Sequence, residues 1–411
     1  MLDGKMGLAA KFAMAIIVRI AEFHQAPYLI DVSQAHIDSS IYIGEAGLEF
    51  AERLVDFGAR VAIPSTLNVS GLDEHHWQEW NVPLDWAQKA QRQMVAYQSM
   101  GCQPTWTCAP YQVDLIPRFG QQIAWGESNA IVFANSVIGA RTERYPDFLD
   151  ICAAITARVP ARGLHLTENR AGQVHLPLQN IPFQLQCDDS FYPILGYFVG
   201  KVARDRIPVI SGLQVAPTED QLKSLGAAAA SSGSVALFHI VGVTPEAPTL
   251  EAAFQNRDPE ETLPIGLDDM ISTRDELTIS AGTGLDLVIL GSPHFSLKEF
   301  QRLARLVSGQ KKHPDIRMLI TSSRAMTSLA EKAGLLPSIR EFGAEITVDT
   351  CILASPMLPP EIKNLMTNSA KYAHYAPSLL NVSITFGSLE DCVRSAVSGA
   401  ISQDDSLWTS S

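Results

Sequence analysis

The sequence predicts an α/β fold, multi-lobed, with mostly parallel sheets flanked by helices, and three observations carry that prediction. Segments with apolar residues at helical spacing alternate with short apolar runs along the chain, the pattern of helices laid on the faces of sheets. Two of those short runs, residues 286–290 and 317–320, open directly into small polar residues, where open parallel sheets hold ligands. The 411 residues, 46% of them hydrophobic, suffice for two or three lobes and a cleft. A lobe boundary is expected near residues 190–215.

Taken in order, residues 7–22 carry helical spacing and are followed by an apolar strand at 28–32. A helix over 47–57 ends at Gly58, placed to act as a left-handed cap. Residues 59–64 read as a strand that enters the polar loop Ser65-Thr66-Leu67-Asn68. Trp77, Trp80 and Trp86 are expected to pack a loop against a helix. A helix over 88–100 stops at Gly101. Residues 102–141 are rich in reactive side chains and poor in periodicity, as a site loop would be. The alternation resumes with a helix at 218–230, strands at 235–240 and 286–290, a helix at 297–307 and a strand at 317–320. Residues 255–263, charged and containing a proline, read as a surface loop.

Composition excludes several functions. With 31 Lys+Arg against 44 Asp+Glu, the net charge is -13, and no basic run exceeds Lys311-Lys312. A phosphate-backbone binder needs clustered cations, so nucleic acid is not an expected partner. No stretch approaches the roughly 18 uninterrupted apolar residues of a membrane span. Six cysteines without a Cys-x-x-Cys pair make neither a disulfide framework nor a zinc ribbon. The chain reads as a soluble, cytoplasmic protein with reduced thiols.

Cys108, in Thr107-Cys108-Ala109-Pro110-Tyr111, and Cys351, in Asp349-Thr350-Cys351, both follow small polar residues and precede a proline. Thiolates distant in sequence share a metal when loop ends meet; buried core thiols are the competing reading. The densest polar cluster is Trp125-Gly126-Glu127-Ser128-Asn129 with Asn135-Ser136 and Arg141-Thr142. Arg141 offers a two-pronged donor for a carboxylate, against the alternative of a capped helix start with Arg141 on the surface. Thr367-Asn368-Ser369-Ala370-Lys371 sets a lysine among small hydroxyls, suited to an anion or to proton transfer, or simply solvated. His36 and Asp38 either pair with each other or cap the next segment. His239 and His294 read as structural histidines.

Together these strings resemble aconitase X, the divergent branch of the aconitase superfamily. The likeness is collinear over nearly the whole chain. It runs through Met1-Leu2-Asp3-Gly4, Ala35-His36-Ile37-Asp38, Pro64-Ser65-Thr66-Leu67-Asn68, the Cys108 string, Trp125-Gly126-Glu127-Ser128 and Asn135-Ser136-Val137 to Arg141-Thr142. It continues through Thr244-Pro245-Glu246-Ala247, Gly291-Ser292-Pro293-His294, the Cys351 string and the Lys371 string. The resemblance implies a hydro-lyase with a large aconitase-like α/β catalytic part, a small swivelling part, and an iron-sulfur cluster or mononuclear iron between them. This chain is similar to the large part throughout, residues 1–411. The small swivelling part is not evident, which implies a separate subunit or a domain missing here, and the start looks clipped.

Three cysteines are expected to hold the metal centre in such proteins. Carried over by motif, two are Cys108 and Cys351, while Ser292 occupies the third position. A serine oxygen is a harder ligand than a thiolate, so a two-thiolate cluster, a mononuclear iron and a non-catalytic paralogue that lost the metal all stay open. The resemblance further implies that Thr66, Asn68, Ser128, Asn135, Ser136, Arg141 and Ser369 bind the anionic substrate. Lys371, Glu127 and His36 would be catalytic and move protons. The substrate is a small hydroxy acid. Lack of an evident basic cluster favours cis-3-hydroxy-L-proline, dehydrated to a pyrroline carboxylate, over mevalonate 5-phosphate. A redox-neutral isomerase is a third reading.

Overall fold

A computed structural model of the chain describes residues 1–113, 115–279 and 282–409. In it the alternating segments assemble into two units, one of Met1–Arg170 with Asp349–Met357, the other of Ala171–Val348 with Leu358–Ser411. The chain first crosses between them at Arg170/Ala171. Residues 190–215 lie inside the second unit, as a helix followed by a strand, for the packing reason given below.

In the first unit, helix Leu8–Phe23 buries Ala9, Ala13, Ile17 and Ala21 and packs on helix Leu149–Thr156, every residue of which is buried. Strands β1 (Leu29–Asp31), β2 (Ala35–Ile37), β3 (Ser65–Leu67), β4 (Ala124–Trp125) and β5 (Arg158–Pro160) follow. β1 pairs antiparallel with β5, whereas β3, β2 and β4 form a parallel sheet in that order. Its register sets His36 opposite both Thr66 and Trp125.

The strand expected at 59–64 is displaced onto Ser65–Leu67. Residues 59–64 stand at the surface or half-buried apart from Ala59, and their amides bond singly elsewhere, Val61 to the Met100 carbonyl and Ala62 to that of Ala154. Ser65, Thr66 and Leu67 are buried throughout; the Thr66 hydroxyl bonds His36 of β2 and the Ser65 hydroxyl donates to the Ile63 carbonyl. Polarity thus disguised a buried strand as a loop. Gly58 does take the left-handed conformation, φ +75°, after helix Glu45–Asp56. The tryptophans divide: Trp80 is buried, and Trp86 meets Tyr42 edge to face at 5.3 Å.

The second unit holds two parallel sheets. One has the order β8 (His239–Ile240), β7 (Pro208–Ser211), β6 (Val174–Pro177), β9 (Glu261–Thr262). The other has the order β12 (Glu345–Val348), β11 (Arg317–Ser322), β10 (Leu287–Phe295), β13 (Asn364–Thr367), β14 (Ser383–Phe386). The expected strand at 235–240 contracts to β8. By contrast the strand at 286–290 runs on through Phe295, and its register against β11 breaks between Leu290 and Phe295, so Gly291-Ser292-Pro293-His294 lies in an irregularity of β10. Helix Leu297–Val307 forms as predicted, capped by Ser296 with Glu299 three residues into it. The Thr218 cap of helix Glu219–Ser232 is a capping box of the same kind.

Helix Phe191–Ala203 packs backbone to backbone on helix Glu219–Ser232, which is why residues 190–215 cannot be a boundary. A Cβ on Gly196 would stand 2.2 Å from the Leu225 carbonyl oxygen, and one on Gly200 2.5 Å from that of Ala229. Backbone atoms cannot yield as a flexible side chain does. Gly196→Ala is therefore expected to destabilise by about 1–3 kcal/mol through overpacking, seen as a lower thermal unfolding midpoint. An unchanged midpoint would contradict this packing.

Candidate active site

The carboxyl end of the sheet β3–β2–β4 gathers the polar groups of the first unit. Immediately past the three strands come Asn68, Asp38 and Gly126-Glu127. This is the end at which open parallel sheets carry their ligands. Gly126 is required there, since a Cβ would lie 2.9 Å from both the Asp38 Cβ and the Asp150 Oδ2. Outside β3 runs a further segment: Gln103 donates to the Ser65 carbonyl and Thr107 to that of Leu67, which brings Cys108 to the same end. Past β3, the Ser70 amide donates to the Asp349 carbonyl (2.8 Å) and the Glu74 amide to Asp349 Oδ2 (3.3 Å). Residues 67–74 thus tether the loops of both Cys108 and Cys351.

His36 and Asp38 pair across the sheet rather than with each other. His36 Nδ1 bonds Thr66 Oγ1 at 2.8 Å, and the Asn68 amide donates to Asp38 Oδ1. Burial drives the His36 pKa down to about 3, with the Thr107 backbone opposing part of that shift, so the imidazole is neutral at physiological pH. Asp38 behaves in the opposite sense. Burial, then the negative charges of Glu127 and Asp150, push its carboxyl up to about 7. Asp150, missed in the sequence, accepts from the amides of Asp38 (2.6 Å), Ser39 (3.1 Å) and Ile151 (2.6 Å) and from the Ser39 hydroxyl (2.9 Å). Tyr97 donates in turn to Ser39 Oγ at 2.9 Å. These interactions hold Asp150, also raised by burial, behind Asp38.

Glu127 caps helix Ser128–Phe133, taking the Ala130 amide at 2.8 Å and the Asn129 side-chain amide. Ser128 Oγ lies 3.4 Å from Glu127 Oε1. Asn129, which the sequence set in the polar cluster without a role of its own, also donates to the Cys108 carbonyl (2.9 Å) and accepts from the Tyr111 hydroxyl (2.8 Å). It therefore links the Glu127 and Cys108 strings. The helix continues as a π-helical turn over Ala134–Ile138, which contains Asn135 and Ser136; such turns recur at functional sites. Asn135 grips the Thr142 backbone by both its amide groups (3.0 Å each), and the fully buried Arg170 donates to its Oδ1 and carbonyl. Arg141 pairs through its backbone with residues 121 and 123 beside β4 and is only partly exposed.

Ser292, Ser369 and Lys371 belong to the second unit. Ser369 follows β13, caps helix Ala370–Leu380 and donates to the Ser292 carbonyl, so those two serines share one small pocket. Lys371 lies in the first turn of that helix. The Ser292–Pro293 peptide is cis.

The thiols divide by environment. Cys102, Cys152 and Cys392 are buried, with their thiol pKa values pushed up by burial, Cys108 and Cys351 are partly exposed, and Cys187 is exposed. Among the described residues no three His, Cys, Asp or Glu side chains are arranged to hold a metal ion. Ser292 stands where the resemblance gives a third cysteine, so the Cys108, Ser292 and Cys351 strings offer sulfur and oxygen donors and do not fit a group requiring three thiolates. Nor, among the described residues, is any helix long and apolar enough to cross a membrane.

Parallel sheets that deliver a carboxylate, an amide and thiol-bearing loops to a strand-end site have the layout of an α/β enzyme. The chain belongs to the aconitase X family: models of the first, second and third aconitase X domains match residues 1–168, 173–275 and 285–398. It is 47% identical to the cis-3-hydroxy-L-proline dehydratase of Pseudomonas aeruginosa over 100% of this chain and 71% of that protein. It is 45% identical to that of Hypocrea jecorina over 97% and 67%. The phosphomevalonate dehydratase large subunit of Methanothermobacter thermautotrophicus is 34% identical over 96% of both chains. Among solved structures, Thermococcus kodakaraensis aconitase X (holo-form) superposes with a TM-score of 0.84 at 32% identity, covering 96% of this chain and 97% of that one. The chain is accordingly a dehydratase, a hydro-lyase.

The raised carboxyl carries a pH signature. A carboxyl near 7 in the folded state and 3.8 unfolded favours folding in its protonated form, so stability is lost as pH rises from about 4 to about 7. Asp38→Asn removes that loss. The thermal midpoint of the variant minus that of the parent should grow across this window and level off above it. A constant difference would mean that Asp38 ionises normally.

Proposed function

We propose that this dehydratase removes water from cis-3-hydroxy-L-proline to give a pyrroline carboxylate. The observation that carries the reading is whole-chain identity of 47% and 45% to two proteins of that name, against 34% to phosphomevalonate dehydratase large subunits. Electrostatics agree: the charged groups facing Asp38 are Glu127, Asp150 and Asp147, poor company for a phosphate.

In this reading Arg141 receives the substrate carboxylate with a two-pronged donor. Asn135, Ser136, Ser128, Thr66, Asn68 and Ser369 orient the substrate around it. Loss of water needs a base for the proton beside the carboxylate and a donor to the departing hydroxyl. Lys371 and Glu127 serve those transfers, and His36 enters as a neutral imidazole held by Thr66. An iron-sulfur cluster or mononuclear iron held at Cys108 and Cys351 would supply a Lewis acid for the hydroxyl when bound, Ser292 being a third position by resemblance alone. A small swivelling subunit or domain completes the enzyme in the cytoplasm. That part of the reading is supported by the relatives named large subunits, matched over 96% of both chains.

Anaerobic purification, iron quantification with an absorption spectrum, and product analysis in the presence of a candidate small part test the proposal. Pyrroline carboxylate should form from cis-3-hydroxy-L-proline. Cys108→Ala should lose iron and at least about tenfold of the activity. Turnover of mevalonate 5-phosphate instead, or absence of iron together with an inert Cys108→Ala, would overturn it.

A further inference from the structure

Two oxygen atoms at the carboxyl end of β2 and β3 are arranged to accept hydrogen bonds. Asn68 is 4% exposed, and its Oδ1 has no hydrogen-bond partner among the described residues, although its amide nitrogen is committed to Asp38. A buried amide oxygen left unmatched costs free energy that an incoming donor recovers. Asp38, beside it, keeps partial exposure and has no ion-pair partner among the described residues. The charged groups that act on it most strongly are acidic: Glu127 from the start of helix Ser128–Phe133, Asp150 from helix Leu149–Thr156, and Asp147 before that helix. A local field so negative favours a cation, and since no three metal-ligating side chains are grouped here among the described residues, a metal ion is the poorer occupant.

We propose that Asp38 and Asn68 form a subsite for the protonated ring nitrogen of a cyclic amino acid, taking its two N–H donors on the Asp38 carboxylate and the Asn68 carbonyl oxygen. The subsite rests on the dehydratase reading above and deepens it, because it selects an ammonium-bearing substrate over one that offers only carboxylate, hydroxyl or phosphate. Asp38 is charged when the cation is bound, and the cation in turn lowers the carboxyl pKa by offsetting Glu127 and Asp150.

The test is binding, separate from turnover. Calorimetry on the anaerobically purified full chain compares L-proline with cyclopentanecarboxylate, which lacks the nitrogen. The parent should prefer L-proline. Asp38→Asn should weaken L-proline by about tenfold to a hundredfold, the range of a charge-assisted hydrogen bond, and leave cyclopentanecarboxylate within about twofold. Asn68→Ala, which keeps the charge, should weaken L-proline selectively but less. In the parent the L-proline affinity should fall as pH drops below about 7, and in Asp38→Asn it should not. Equal affinity of the parent for the two ligands, no binding of L-proline, or equal losses for both ligands in folded variants would overturn the subsite. Pyrroline carboxylate production by the parent alongside any of those results would leave the dehydratase reading standing.

Discussion

The register of one short parallel sheet governs the first unit. With His36 opposite Thr66 on one side and Trp125 on the other, the residues that follow each strand arrive together: Asn68, Asp38 and Glu127. A slip of one residue along β3 would turn Thr66 away from His36 and carry Asn68 out of reach of Asp38. The edge segment that ends at Cys108 and the Ser70 contact that tethers the Cys351 loop both take their positions from β3. So the thiols, the carboxylates and the amide depend on the same three strands.

Burial then assigns these groups different behaviour at one pH. His36 lies fully within the sheet and is neutral, with one ring nitrogen occupied by a hydroxyl. Asp150 is equally buried but receives three backbone amides and a hydroxyl, which makes it a fixed brace. Asp38 receives a single side-chain amide, faces like charge and stays partly exposed, so it is the carboxyl whose proton is easily exchanged. Three side chains within one acidic neighbourhood thereby divide into scaffold and reactive group.

Family membership places this chain among dehydratases. Ser292 stands in a string that the resemblance would give a cysteine, and it lies where β10 breaks register with β11. Its carbonyl is held by Ser369, so the backbone of that string is anchored independently of whatever its side chain binds. Cys102, Cys152 and Cys392 are buried and pushed away from the thiolate form and Cys187 is exposed, whereas the partly exposed Cys108 and Cys351 are both tethered to one segment.

The alternation of periods determined the α/β class, and capping signals such as Ser296 with Glu299 and Thr218 with Gln221 marked helix starts closely. Local side-chain chemistry acts there over three or four residues, which a sequence displays. The strings around Cys108, Glu127 and Cys351 were legible for the same reason. Strand placement was not: Ser65-Thr66-Leu67 is polar in sequence yet buried in the sheet, because the Thr66 hydroxyl bonds His36, 30 residues away, and the Ser65 hydroxyl bonds the Ile63 carbonyl. Asp150 was invisible as a site residue and Asn129, though within the polar cluster, had no assigned role, since both act through partners on other segments. Which carboxyl titrates near neutrality, and which histidine does not, was decided only by tertiary structure, because desolvation and neighbouring charge are properties of the assembled site and not of the residue.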